Sequence, residues 1–447
     1  MRVRVIRNVG WFDTEFVEFP KIRLERIVNS MKCRLNTGDL LAPQTKRVVA
    51  GLATLLICSI PLAANAQTQK EMWQTIQKQQ RQIEVLQKAQ KNTDKSVEAT
   101  AAAVQEGSAS SGWWNKTSLG GYGEVHYNGG DTDKVDIHRF VLNVNHQFSD
   151  SVRLYSEVEI EHGLAGDGED KPGEVEMEQA WIEFDLSDEV KARAGVFILP
   201  VGILNETHEP PTFYGVERNN VEKNIIPSTW WEAGAGLSFG GSSGFLVDLA
   251  LHSGLDVPNT GSSAFKIRKG RQKVAEATAR EPAVTARLKY TGTPGLELAS
   301  TVQYQYDITQ ADEGDTRSSA TLIEVHGIYT HQISPSTSLS LRALYATWDI
   351  DGSAAKALGR DEQTGWYIEP SVKFNLGDTG DLGFYLRYSA DDNTAGDAID
   401  SEVRETVVGL NYWPHKHVVL KADYSVPAPP AGTARNDMFR AGVGFQF

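Results

Sequence analysis

Gly236-Leu237-Ser238-Phe239-Gly240 has the spacing of the G-x-S-x-G nucleophile elbow. That motif requires a strand turning sharply into a helix, so that the serine hydroxyl stands free beside its base. Here a Gly/Ser turn over 240–244 leads instead into another alternating apolar segment, Phe245 to His252, so the elbow is absent. Beyond the first 66 residues no H-E-x-x-H, P-loop or Cys/His metal spacing occurs. Both cysteines, Cys33 and Cys58, fall within those 66, leaving the rest without a disulfide framework or a thiolate metal site. With no catalytic, metal or cofactor constellation, the chain reads as a non-enzyme.

The other groups that could act on a solute are charges. Lys266, Arg268, Lys269, Arg271, Lys273 and Arg280 form the densest basic cluster in the chain after residue 66. It reads as an electrostatic funnel for anionic solutes or, more plainly, as a solvated face or a contact with lipopolysaccharide phosphates. A second charged stretch, Leu199 to Thr229, mixes acids, bases, aromatics and prolines, unlike a bare exposed tip. The overall balance is acidic, at −14. Removing residues 1–66, with 10 Lys+Arg and 5 Asp+Glu, leaves 34 basic against 53 acidic residues, a net −19 that argues against nucleic acid as a partner.

Those 66 residues read as a signal peptide with an upstream extension. Lys46-Arg47 precede the apolar run Val48 to Ala64, and Ala64-Asn65-Ala66 supplies an A-x-A cleavage site. Met31, followed by Lys32 and Arg34, is an alternative start. An uncleaved anchor helix is the competing reading, opposed by Pro61 within the run. From 67 to 106 the composition favours helix. A heptad register puts Gln69, Ile76, Ile83, Gln90, Val97 and Val104 at a, with Met72, Gln79, Leu86, Thr93 and Thr100 at d. The half-polar seam suits a periplasmic coiled coil attached to an oligomeric body, or else a solvated single helix. Residues 107–116 read as a linker.

After Trp113-Trp114 the pattern becomes segments of about ten residues with period-2 alternation, separated by turns, as in a transmembrane barrel. Phe140, Leu142, Val144 and Phe148 fall on one face of a segment whose other face carries Arg139, Asn143 and Asn145. Sixteen strands are predicted, near 117–127, 136–148, 152–161, 175–185, 190–198, 229–239, 244–252, 284–291, 296–307, 321–331, 338–348, 364–375, 382–390, 402–412, 418–426 and 438–447. Short connections alternate with long ones at 162–174, 199–228, 253–283 and 308–320, the pattern of periplasmic turns and extracellular loops. Pro370 cannot donate to a ladder, so a bulge or a displaced strand end is expected there. The aromatic last strand, closing on Phe447, resembles the signal read by the outer-membrane assembly machinery.

The segment from Val196 to Gly236, with Pro200-Val201-Gly202, Asn205-Glu206, Tyr214-Gly215-Val216-Glu217-Arg218 and Ile225-Ile226-Pro227, resembles the corresponding stretch of the phosphate-selective porin O and P family. In weaker form the likeness extends over Gln67 to Phe447. It implies an all-β, 16-stranded antiparallel transmembrane barrel over 117–447 with an inward-folded third loop, assembled as a homotrimer in the outer membrane of a Gram-negative bacterium among lipids and lipopolysaccharide. Glu206, His208, Glu209, Glu217, Arg218, Glu222 and Lys223 then become candidates for the pore constriction, or for clamps holding the loop to the wall. The inward basic residues, including Arg139, Arg153, Arg193, Arg287, Arg342 and Arg387, number eleven against twelve inward acids, so the arginine ladder of phosphate channels cannot be placed here. Passage of small anions such as phosphate, general or carbohydrate-type diffusion, and a structural tether acting through the coiled coil stay open. Deleting residues 67–105 separates the last of these: a tether variant loses envelope integrity, whereas a porin keeps its single-channel conductance.

Overall fold

The computed structural model describes residues 112–130, 133–163, 173–312 and 316–447. The segments read from the sequence as a signal peptide with its extension (1–66) and as a coiled-coil helix (67–106) lie outside them. Sixteen strands form one closed antiparallel barrel. They are β1 (Thr117–Gly129), β2 (Lys134–Ser149), β3 (Val152–Glu161), β4 (Val175–Asp185), β5 (Val190–Ile198), β6 (Trp231–Gly240), β7 (Phe245–His252), β8 (Ala283–Tyr290), β9 (Leu296–Gln305), β10 (Ser319–Ser334), β11 (Thr337–Asp351), β12 (Glu362–Asn375), β13 (Asp381–Asp392), β14 (Val403–His415), β15 (Val418–Ala428) and β16 (Met438–Gln446). Each strand pairs with its sequence neighbours, and β1 closes on β16 from Tyr122 opposite Gln446 to Gly129 opposite Phe439. Closure leaves no sheet edge, so every strand backbone can be hydrogen-bonded even in lipid.

All sixteen predicted strands are present. β3, β4 and β5 keep their expected ends, while β10 and β11 run longer, to 16 and 15 residues. Alternation supplies the register. On β2, Leu142, Val144 and Phe148 are exposed on the outer surface, whereas Arg139 and Val141 are buried inside. The expectation at Pro370 is corrected. β12 passes through it without bulge or break, Pro370 pairing opposite Leu341 of β11. Pairing with β13 lapses at Glu369 and Pro370, then resumes at Ser371 opposite Tyr385 in the same register. The missing N–H thus costs a local gap and no slip, because β11 holds the strand on its other side.

Two irregularities re-aim side chains. Between Glu124 and Val125 of β1 the partner strand β2 contains one extra residue, His138. A bulge of this kind reverses the alternation. Val135 and Ile137 therefore become outward and exposed, and Asp136 and His138 turn toward the interior. A second shift between Glu157 and Val158 of β3 inserts Glu178 into β4, and Glu178 is buried.

The largest apolar cluster sits inside the barrel. Loop 3 (199–230) contributes Leu199, Val201, Ile203, Val221, Ile225, Ile226 and Trp230, and loop 4 (253–282) adds Leu255, Val257, Phe265 and Ile267. They pack on Leu344, Ala346, Trp348 and Ile350 of β11, with Leu322 of β10 and Tyr367 of β12. The outer face is apolar as well, with Leu142, Val144 and Phe148 exposed on it, as expected of a surface that meets lipid. Leu142→Arg, midway along β2, should cost about 2–4 kcal/mol of unfolding free energy in lipid vesicles while Leu142→Phe stays near neutral; equal costs would contradict a lipid-facing side chain.

Candidate pore constriction

Loop 3 enters from the end of β5 and folds into the lumen as a compact, hydrogen-bonded segment. Its neck is pinned by Asn205, whose Nδ2 donates to the carbonyls of Leu199 (2.8 Å) and Trp230 (3.1 Å) and whose Oδ1 accepts Trp230 N–H at 2.6 Å. Its centre is organised by Glu222, which is fully buried. One carboxylate oxygen accepts the backbone N–H groups of Ile203 and Leu204, both at 2.6 Å. The other accepts Tyr367 O–H at 2.8 Å and Asn219 Nδ2 at 3.3 Å. Burial nevertheless raises the Glu222 pKa, against the lowering effect of these donors. Gly202, at φ 73°, allows this approach, since a Cβ there would lie 2.7 Å from Glu222 Oε1.

The barrel wall supplies the outer partners. Arg139 Nη2 donates to His208 O at 2.7 Å, Arg342 Nη2 to Thr212 O at 2.9 Å, and Arg387 Nη2 to Tyr214 O at 2.7 Å. Asn411 Nδ2 donates to Phe213 O at 3.0 Å, and Trp348 Nε1 to Ile225 O at 2.9 Å. Val216 N–H donates to Asp423 Oδ2 at 2.7 Å. Between these clamps Gly215, at φ 91°, passes so close to the wall that a Cβ would stand 2.8 Å from Tyr385 Oη. Carboxylates in turn hold the arginines: Glu124 binds Arg139 and Glu369 binds Arg387, each at 2.7 Å.

The residues singled out from sequence therefore divide. Glu206 pairs with Arg287, a loop-to-wall contact, and Arg287 also binds Asp248 of the neighbouring strand at 2.6 Å. His208 is buried, with Nε2 2.8 Å from Tyr122 Oη and Nδ1 3.0 Å from Asn205 O. Glu209 is half-buried beside the Pro210–Thr212 turn, its carbonyl accepting Thr212 N–H at 2.9 Å. Arg153 binds Glu183 at 2.7 Å near the short-turn end, away from loop 3. Arg193 lies over the Phe197 ring at 4.4 Å, and its Nε and Nη2 find no hydrogen-bond partner among the described residues.

Only Glu217, Arg218 and Lys223 of the seven loop candidates line a polar cavity of about 380 Å³ between loop 3 and the β1–β4 wall. Glu217 accepts from Asn128 Nδ2 at 3.0 Å and meets His126 Nδ1 at 3.2 Å. Burial opposes ionisation of Glu217, but His126, His138 and Asn128 together outweigh it and hold the carboxyl well below its usual range. The wall side is acidic, with Glu159, Glu161, Glu174, Glu176 and Glu178; the loop side is basic, with Arg218, Lys223, Arg268, Arg271 and Lys273. Loop 4 thus brings three members of the basic cluster to the cavity, Lys273 bridging to Glu174 and Glu176. Arg268 Nη1 and Arg271 Nη1 also donate to loop 3 carbonyls, Lys223 O at 2.8 Å and Thr229 O at 2.5 Å. Lys269 stays exposed.

The neck pin Asn205 and the apolar docking wall are not among the constriction candidates of the sequence. A signal for the wall exists: inward positions 344, 346, 348 and 350 of β11 are Leu, Ala, Trp and Ile, where other strands place polar groups. Glu222→Ala would leave the Ile203 and Leu204 N–H groups and Tyr367 O–H unpaired, at about 1–3 kcal/mol for each buried donor. Loop 3 of the folded variant should become protease-sensitive, whereas an unchanged digestion pattern would refute the clamp.

No family model matches the chain. An uncharacterised protein of Aquifex aeolicus (strain VF5) is 30% identical over 358 residues, which span 74% of this chain and 80% of that one. Among solved structures, OmpF of Salmonella typhi, in complex with daunomycin, is 14% identical over 74% of this chain and 97% of its own, at a TM-score of 0.50. OprB of Pseudomonas putida is 13% identical over 74% of this chain and 94% of its own, at a TM-score of 0.49. The barrel built here from sixteen strands thus has the fold of an outer-membrane porin, and the chain belongs to the family of the Aquifex aeolicus protein.

Proposed function

We propose that this protein is an outer-membrane porin of a Gram-negative bacterium, assembled as a homotrimer, through which small hydrophilic solutes diffuse passively. The observation that carries this reading is the polar cavity between loop 3 and the β1–β4 wall, with mostly carboxylates on the wall side and mostly cations on the loop side. Oppositely charged walls polarise the water between them, and a solute crosses by exchanging hydration for transient contacts of both signs. No covalent chemistry is needed.

Phosphate selectivity, implied by the resemblance of the loop 3 segment, has weaker support. A phosphate filter needs cations that are free at the narrow point. Arg139, Arg342 and Arg387 donate to loop carbonyls, and Arg287 is held between Glu206 and Asp248. General diffusion is therefore the reading preferred here. A modest anion preference has one observation in its favour, the cationic face formed by loops 3 and 4.

Planar-bilayer recording of the protein separates these readings. The expected result is an ohmic channel with weak ion selectivity that sub-millimolar phosphate does not block. Arg271→Ala with Lys273→Ala should move the permeability ratio toward potassium. Saturable block by phosphate would restore the phosphate-selective reading, and the absence of any conductance would overturn the porin.

A further inference from the structure

Three of the chain's histidines converge where the long-loop ends of β1, β2 and β3 meet. The β2 bulge turns His138 inward two residues from Asp136. His162 follows the last residue of β3, and its N–H donates to His138 O at 3.3 Å, which fixes the two residues side by side. His162 Nδ1 lies 2.7 Å and His138 Nδ1 3.7 Å from Asp136 Oδ2. Ligand atoms of Asp136, His138 and His162 all fall within 4.8 Å of one another. Behind them His126 stacks on His138 with ring centroids 4.7 Å apart.

We propose that Asp136, His138 and His162 form a binding site for a divalent transition-metal ion of the zinc class at the outer opening of the lumen. Two imidazoles and a carboxylate are the donor set that zinc takes with three protein ligands, leaving a fourth position for water. Tetrahedral bonds of about 2.0–2.1 Å put donors about 3.4 Å apart. Small rotations of side chains that are about a third exposed (34%, 34% and 31%) reach that spacing. Exposure also leaves an entry path from the cavity, into which His138 and His162 both open. An exposed His–Asp ion pair by itself contributes little to stability, so the bulge that gathers these groups has no evident purpose in holding the barrel together. His138 also lies within 4.8 Å of His126 and Glu217 by its ligand atoms, so a bound ion has further donors within reach. The site needs only the folded barrel and does not depend on conduction.

Isothermal titration calorimetry of the detergent-solubilised protein, with any affinity tag removed and after chelator treatment, tests the assignment using zinc chloride. The expected result is one zinc per chain in the micromolar range, with no binding of magnesium at the same concentration. His162→Ala should weaken zinc binding by about tenfold or more, and His138→Gln with His162→Ala should abolish it. Unchanged heat-modifiable electrophoretic mobility verifies that each variant is folded. The proposal is overturned if the parent protein binds no zinc. It is equally overturned if binding survives in the folded double variant, or is lost only when the His415/His417 pair at the β14–β15 turn is replaced.

Discussion

A polypeptide loop drawn into the interior of a barrel carries its backbone N–H and C=O groups away from bulk water, and each one left unpaired costs as much as a lost hydrogen bond. Most of the charged wall chemistry answers this constraint. Asn205 and Glu222 satisfy the loop from within. Arg139, Arg342, Arg387, Asn411 and Trp348 satisfy it from the wall. The carboxylates that pair with Arg139 and Arg387 are then required because a buried guanidinium without a counter-charge is costly.

Polar clamps fix where the loop goes, and apolar packing makes it stay. One side of loop 3 buries Val221, Ile225 and Ile226 against Leu344, Trp348 and Tyr367, with Phe265 and Ile267 of loop 4 in the same cluster. At about 1.5–3 kcal/mol for each fully buried large apolar side chain, this cluster outweighs any single clamp. The cavity lined by Glu217, Arg218 and Lys223 lies along β1 to β4, where the wall keeps its glutamates and the loops present cations. The seating of loop 3 and the charge separation are thus two results of one asymmetry.

The same asymmetry changes the meaning of a charge count. Eleven inward bases against twelve inward acids suggested a lumen without preference. Arg287 and Arg387 are engaged in structural pairs away from the cavity, whereas Arg271 and Lys273, which belong to a loop, line it while bound to Thr229 O and to Glu174 and Glu176. A residue's place on a strand face says that it points inward. It does not say whether water or protein occupies that interior.

The sequence by itself determined the barrel. Period-2 alternation, alternating loop lengths and an aromatic last strand depend only on which faces meet lipid and which meet the lumen, and that requirement is written residue by residue along each strand. Even β3, β4 and β5 had legible ends. Tertiary structure alone decided the roles of the charges. Glu222 and Glu217 lie five residues apart in one loop, yet Glu222 is enclosed by two backbone amides and Tyr367 while Glu217 faces the cavity beside His126. Their partners come from strands far away in the chain, and pairing across a closed barrel is set by where loop 3 docks. The bulge at His138 is also a product of register: whether Asp136 faces lipid or lumen depends on one extra residue in a ladder, which no alternation within β2 alone reveals.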